Sequence, residues 1–144
     1  MTHAYNSLFT IMKNYTRSPG TPLPGKVHNA ISHQCTRAVG LNLKFLRFAH
    51  DLLTNFMAEH GFNVTKHYLG LETAWRAEFS QGTGGRVIGV NAEMDALEGM
   101  GHACGHNLIA VSGVGIAVAL KAALQAQQHI SGKVVLLGTP GMLE

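Results

Sequence analysis

A chain of 144 residues, 46% apolar and 13% charged, can bury one hydrophobic core and is too apolar for a disordered protein. Its two cysteines, Cys35 and Cys104, exclude a disulfide framework and suit a reducing compartment, so the cytoplasm is expected ahead of the mitochondrion. The net charge of +3 divides unevenly: residues 1–50 carry six basic side chains and no acid, and residues 51–144 carry five basic and eight acidic.

The basic start has the charge of a mitochondrial transit peptide, but "SPGTPLPGKVHNAISHQCTRAVG" holds no amphipathic arginine helix. Residues 1–44 are therefore read as a disordered or poorly specified leader, and residues 45–144 as the folded domain. The basic residues are scattered, which argues against a nucleic-acid partner. The longest apolar stretch, 108–120, is broken by Ser112, Gly113 and Gly115. It falls short of the roughly 18 residues of a membrane span, so no membrane partner is expected.

In "FLRFAHDLLTNFMAEHG", Phe45, Phe48, Leu52, Leu53, Phe56 and Met57 recur at helical spacing, and Gly61 stands where a C-terminal cap belongs. His50 and His60 read as surface residues of this helix. "FNVTKHYLG" follows as a strand, and "TAWRAEFS" alternates with Thr73, Trp75, Ala77 and Phe79 on one face. The turn "QGTGG" then leads into "RVIGVNAEM", which predicts an antiparallel hairpin of 73–79 with 86–94. Residues 107–128 predict a helix apolar nearly all round, hence buried, and "GKVVLLGTP" predicts a buried parallel strand. Strand, loop, helix and strand make a βαβ unit with a right-handed crossover.

"GMGHACGH", residues 99–106, falls in the loop between the end of that first strand and the start of the helix, where ligand sites of α/β sheets collect. A dinucleotide fingerprint is not supported. Gly113 and Gly115 lack the third glycine and the later acid, and they read as close-packing positions. Cys104 has no Cys-x-x-Cys partner for thioredoxin-like chemistry. His102, Cys104 and His106 alternate and project to one side in an extended loop, while Glu93 and Asp95 end the strand just upstream. Thiolate, imidazole and carboxylate together suit zinc or a similar divalent ion. A cysteine nucleophile activated at the helix amino terminus remains open, as does a cluster with no chemistry.

From about Ala49 to Pro140, "GFNVTKHYLGLETAWRAEF" and "AEMDALEGMGHACGHNLIAVSGVGIAVALKAAL…GKVVLLGTP" resemble the zinc-dependent amidohydrolases and aminopeptidases of peptidase family M-twenty. Aminoacylases, auxin-conjugate hydrolases and a β-alanyl dipeptidase-like branch belong to it. The resemblance implies the N-terminal part of a three-layer α/β catalytic domain with a mixed central sheet and bound zinc or manganese. It matches Cys104 and His106 to metal ligands and Asp95 to the strand-end aspartate of the metal cluster, so Cys104, His106 and Asp95 are the expected metal ligands, with Asp95 also the position expected to serve catalysis. It leaves Glu93 and His102 beside the ion, Glu93 standing where other branches place a metal-binding histidine. The implied substrate is a small N-acyl amino acid or dipeptide, hydrolysed with a glutamate as general base.

Three departures qualify the resemblance. After "LLGTP" the family continues Ala-Glu-Glu, whereas this chain reads Gly141, Met142, Leu143, Glu144; Glu98 replaces a usual proline; and residues 1–44 lack a His-Pro-Glu type segment. The expectation is a truncated chain that binds metal through part of the ligand set and hydrolyses nothing alone. A non-catalytic, self-associating fragment is the alternative, with "KVVLLG" as an unpaired sheet edge.

Overall fold

The computed structural model describes residues 40–97 and 100–141, and of residues 40–42 only the backbone. The expected leader (apart from the start of the first helix), Cys35, Glu98 and Glu144 lie outside the described residues. The fold is α/β with a mixed sheet: α1 (Gly40–Glu59), β1 (Asn63–Lys66), β2 (Trp75–Gln81), β3 (Arg86–Glu93), α2 (His106–Ala126) and β4 (Gly132–Thr139). The strands stand in the order β1-β2-β4-β3. β2 is antiparallel to both β1 and β4, and β3 is parallel to β4.

The predicted hairpin is therefore corrected: β4 lies between β2 and β3. β4 is apolar on both faces at Val134–Leu137, the pattern of a strand flanked on either side. The glycine turn 82–85 does not fold β3 back onto β2. Gly85, at φ +84°, instead packs its backbone on Ser131 at the start of β4, where a Cβ would overlap the Ser131 carbonyl. The expected free edge at "KVVLLG" is corrected with it, because β4 is paired on both sides.

One face of the sheet carries Trp75, Ala77, Ala92, Val134 and Leu136, which form a single core with Leu46, Ala49, Leu53, Phe56 and Met57 of α1 and Ala110, Val111, Val114 and Ala117 of α2. Both helices thus cover the same face. The opposite face bears polar groups, including Glu78 bonded to Arg76 and lying 3.5 Å from Lys133. These cations, the Arg76 hydrogen bond first, hold the Glu78 carboxyl below its usual range against the opposing effect of burial.

Gly61 (φ +73°) ends α1 as expected, and Lys121 of α2 completes the cap by donating to the carbonyls of His60 and Gly61. Burial holds that amine below the usual lysine range, with the rings of Phe62 and Phe79 5.2 and 4.9 Å away. Gln81 of β2 does the same for α2, its Nε2 donating to Leu124 O (2.7 Å), Ile130 O (3.0 Å) and Gln127 O (3.2 Å).

α2 is not buried all round. Ala110, Val111, Gly113, Val114 and Ala117 face the sheet, while Leu108, Ile109 and Ile116 are exposed. By length and composition alone this helix is apolar enough to cross a membrane, which corrects the reading of 108–120 as too interrupted. Its core-facing stripe gives the apolar character a role in packing on the sheet. Gly113 meets its expectation, since a Cβ there would lie 3.1 Å from Asn91 O and 3.3 Å from the Ala92 Cβ, whereas Gly115 faces open space.

The two helix histidines also differ from expectation. His50 is buried, its Nδ1 3.0 Å from Asp51 Oδ1 and its ring stacked on His67. His60 is half-buried against Phe56, donating from Nδ1 to the Phe56 carbonyl at 2.8 Å. The strand expected over 62–70 is short: after Lys66 the chain turns through His67 and Leu69, both at positive φ.

Candidate metal centre

The candidate site forms where β3 and β4 both end. Met94 donates its N–H to Thr139 O (2.9 Å), keeping the two strand ends together before Asp95 leaves the sheet. Leu97 and Gly101 exchange two backbone hydrogen bonds of 2.8 and 2.9 Å, which fold the loop on itself and return it toward α2. Gly105, at φ +84°, makes the last turn, and its carbonyl accepts from Leu108 and Ile109 N–H. His106 is thereby the first residue of α2, as the sequence expectation of a loop–helix junction requires.

His106 draws two carboxylates together. Its Nδ1 lies 2.7 Å from Asp95 Oδ1, and its Nε2 lies 3.3 Å from Glu93 Oε2. The positive end of the α2 dipole favours both acids at this place. If Nδ1–H donates to Asp95, Nε2 turns a lone pair toward an oxygen that also only accepts. Such a pair requires a cation between its members, either a proton or a metal ion. An imidazole nitrogen beside a carboxylate oxygen is a surrounding in which a divalent ion is commonly held. A carboxylate on one imidazole nitrogen with the other left to a metal is also the usual arrangement around zinc. The donor types therefore fit a divalent ion.

The remaining motif residues are less closely gathered. Cys104 is a free, exposed thiol in the loop just before α2. Asp95 spends Oδ1 on the His106 ring, so it orients that ring. Among the described residues, no group of three or more His, Cys, Asp and Glu side chains is arranged to hold a metal ion. His102 packs its ring edge on Phe45 of α1 at 4.6 Å. Burial, reinforced by the charge of His106 and opposed by Asp95, pushes its pKa down to about 4, so the ring is neutral at neutral pH.

Sequence reasoning missed two contacts here. Phe45 meets His102 across more than fifty residues, a pairing with no local signal. Gly141 (φ +99°) passes so close to Asp95 that a Cβ would overlap its carboxyl group. Gly141, directly after Pro140, was the visible clue.

No protein-family model matches the chain. Individual proteins do: it is 43% identical over 102 residues to a mouse (Mus musculus) protein and 39% over 106 residues to a human (Homo sapiens) one, each named Xaa-Arg dipeptidase. It is 32% identical over 106 residues to a p-aminobenzoyl-glutamate hydrolase chain of Escherichia coli (strain K12). These alignments take in 62–64% of this chain and 21–24% of the relatives, so the chain spans about a quarter of the length of the curated relatives it matches.

Proposed function

We propose that the chain is the metal-binding part of an amidohydrolase of the M-twenty peptidase type, acting in its whole form on the amide bond of a dipeptide or N-acyl amino acid. The similarity to proteins named dipeptidase and aminobenzoyl-glutamate hydrolase supports the reaction class. The single observation that carries the metal reading is the placement of the His106 imidazole between Asp95 and Glu93.

In this reading Cys104 and His106 ligate zinc or manganese, Asp95 fixes the His106 tautomer, and Glu93 and the neutral His102 flank the ion. Bound there, a divalent ion polarises an amide carbonyl and lowers the pKa of a water. Among the described residues the site is held by these side chains, and none of them is assigned the role of general base. The other described carboxylates stand on α1, the β1–β2 connection and β2, at Asp51, Glu59, Glu72 and Glu78. The unbridged Cys104 supports a reducing compartment such as the cytoplasm.

The test is an assay of the purified chain against N-acyl amino acids and dipeptides with added zinc or manganese. The expected result is bound zinc without turnover above a Cys104→Ala control. Turnover lost on Cys104→Ala would contradict the absence of a base, and failure to bind zinc would contradict the metal reading.

A further inference from the structure

On the polar face of the sheet a line of hydrogen bonds runs to the candidate metal centre. Asn91 and Glu93 stand two apart on β3, so both side chains leave the same face, the one turned away from the helices that cover Ala92. Thr139 is the register partner of Glu93 on the parallel neighbour β4, which puts its hydroxyl on that face as well. Its Oγ1–H donates to Asn91 Oδ1 at 3.2 Å, and Asn91 Nδ2–H donates to Glu93 Oε1 at 3.4 Å. The other carboxylate oxygen, Oε2, is the one that lies 3.3 Å from His106 Nε2.

The line has one workable polarity. An ionised carboxylate only accepts, so the amide must turn its NH2 group to Glu93. Its carbonyl oxygen then takes a donor, which the Thr139 hydroxyl supplies. With Oε1 engaged, the Glu93 side chain has less freedom to lose when Oε2 meets a cation beside His106. We infer that Asn91, set in turn by Thr139, is a positioning residue of the metal centre, holding the Glu93 carboxylate with one oxygen toward the ion. This role rests on the metal reading of His106 and adds to it two residues that lie outside the "GMGHACGH" loop.

Zinc affinity of the full chain, read by competition with a chelating dye, tests it on Asn91→Ala, Thr139→Val, Thr139→Ser and Glu93→Ala. Asn91 is exposed and Thr139 half-buried, and melting temperatures verify that each variant is folded. Asn91→Ala is expected to weaken zinc binding about tenfold and Thr139→Val less, whereas Thr139→Ser keeps the donor and binds as wild type does. In a Glu93→Ala background, Asn91→Ala should cost nothing further, a coupling that a merely structural residue would not show. The visible spectrum of bound cobalt, which reports the donor atoms, should change in Asn91→Ala in the same direction as in Glu93→Ala. If wild type binds zinc and Asn91→Ala binds it equally, the positioning role is overturned while the metal reading stands. The same holds if the losses of Asn91→Ala and Glu93→Ala add in full. A wild-type chain that binds no zinc overturns both.

Discussion

The Nδ1–H of His106 donates to Asp95 Oδ1 across 2.7 Å, tying the first residue of α2 to the loop that leaves β3. This bond fixes which imidazole nitrogen faces Glu93, and so it fixes the nitrogen available to an ion. Asp95→Asn keeps the size of the side chain but loses the charge that holds the tautomer. Zinc affinity is expected to fall about 10–100-fold with little change in melting temperature, read by competition with a chelating dye.

Gly138→Ala tests the packing beneath the site. A Cβ there would overlap the indole of the fully buried Trp75, whose Nε1–H donates to Met94 Sδ at 3.3 Å. Overpacking of this kind costs about 1–3 kcal/mol. Urea unfolding followed by the chain's one tryptophan should show that loss.

Lys121→Met keeps the aliphatic stem against Phe62 and Phe79 and removes the donors that cap α1. A loss of about 1 kcal/mol is expected. Lys121→Ala should cost more, because the packing goes as well. No loss in Lys121→Met would mean that the cap contributes nothing, and equal losses in the two variants would mean that the packing of the stem contributes nothing.

His102 sets a pH dependence. Its folded pKa, about 4, lies below the 6.5 of the unfolded chain, so between these values the unfolded state binds more protons. Its contribution leaves stability intact above pH 6.5 and erodes it as pH falls toward 4. Melting temperatures of wild type should slope downward through that window, and His102→Gln should flatten the slope.

Much of this fold was legible because its periods are local. The helical stripe of α1 and the alternation of β2 follow from sequence spacing, and Gly61 does adopt the positive φ of the C-terminal cap its position suggested. The order of strands was not legible, because the insertion of β4 between β2 and β3 depends on pairing across some forty residues. His50 was misread for a different reason. It lies on the same stripe as Leu46, Ala49, Leu53 and Met57, and treating imidazole as polar hid a position that the spacing already placed inside. At the site, the spacing of Glu93, Asp95 and His106 could be counted, but only the return of the loop through Gly101 and Gly105 brings both acids onto one ring.

The central claim is that His106 anchors a divalent metal ion. Zinc content after exhaustive dialysis, measured on wild type and His106→Ala of matched folding, tests it most directly. The account predicts zinc retained by wild type and lost from His106→Ala; equal zinc in the two proteins would contradict it.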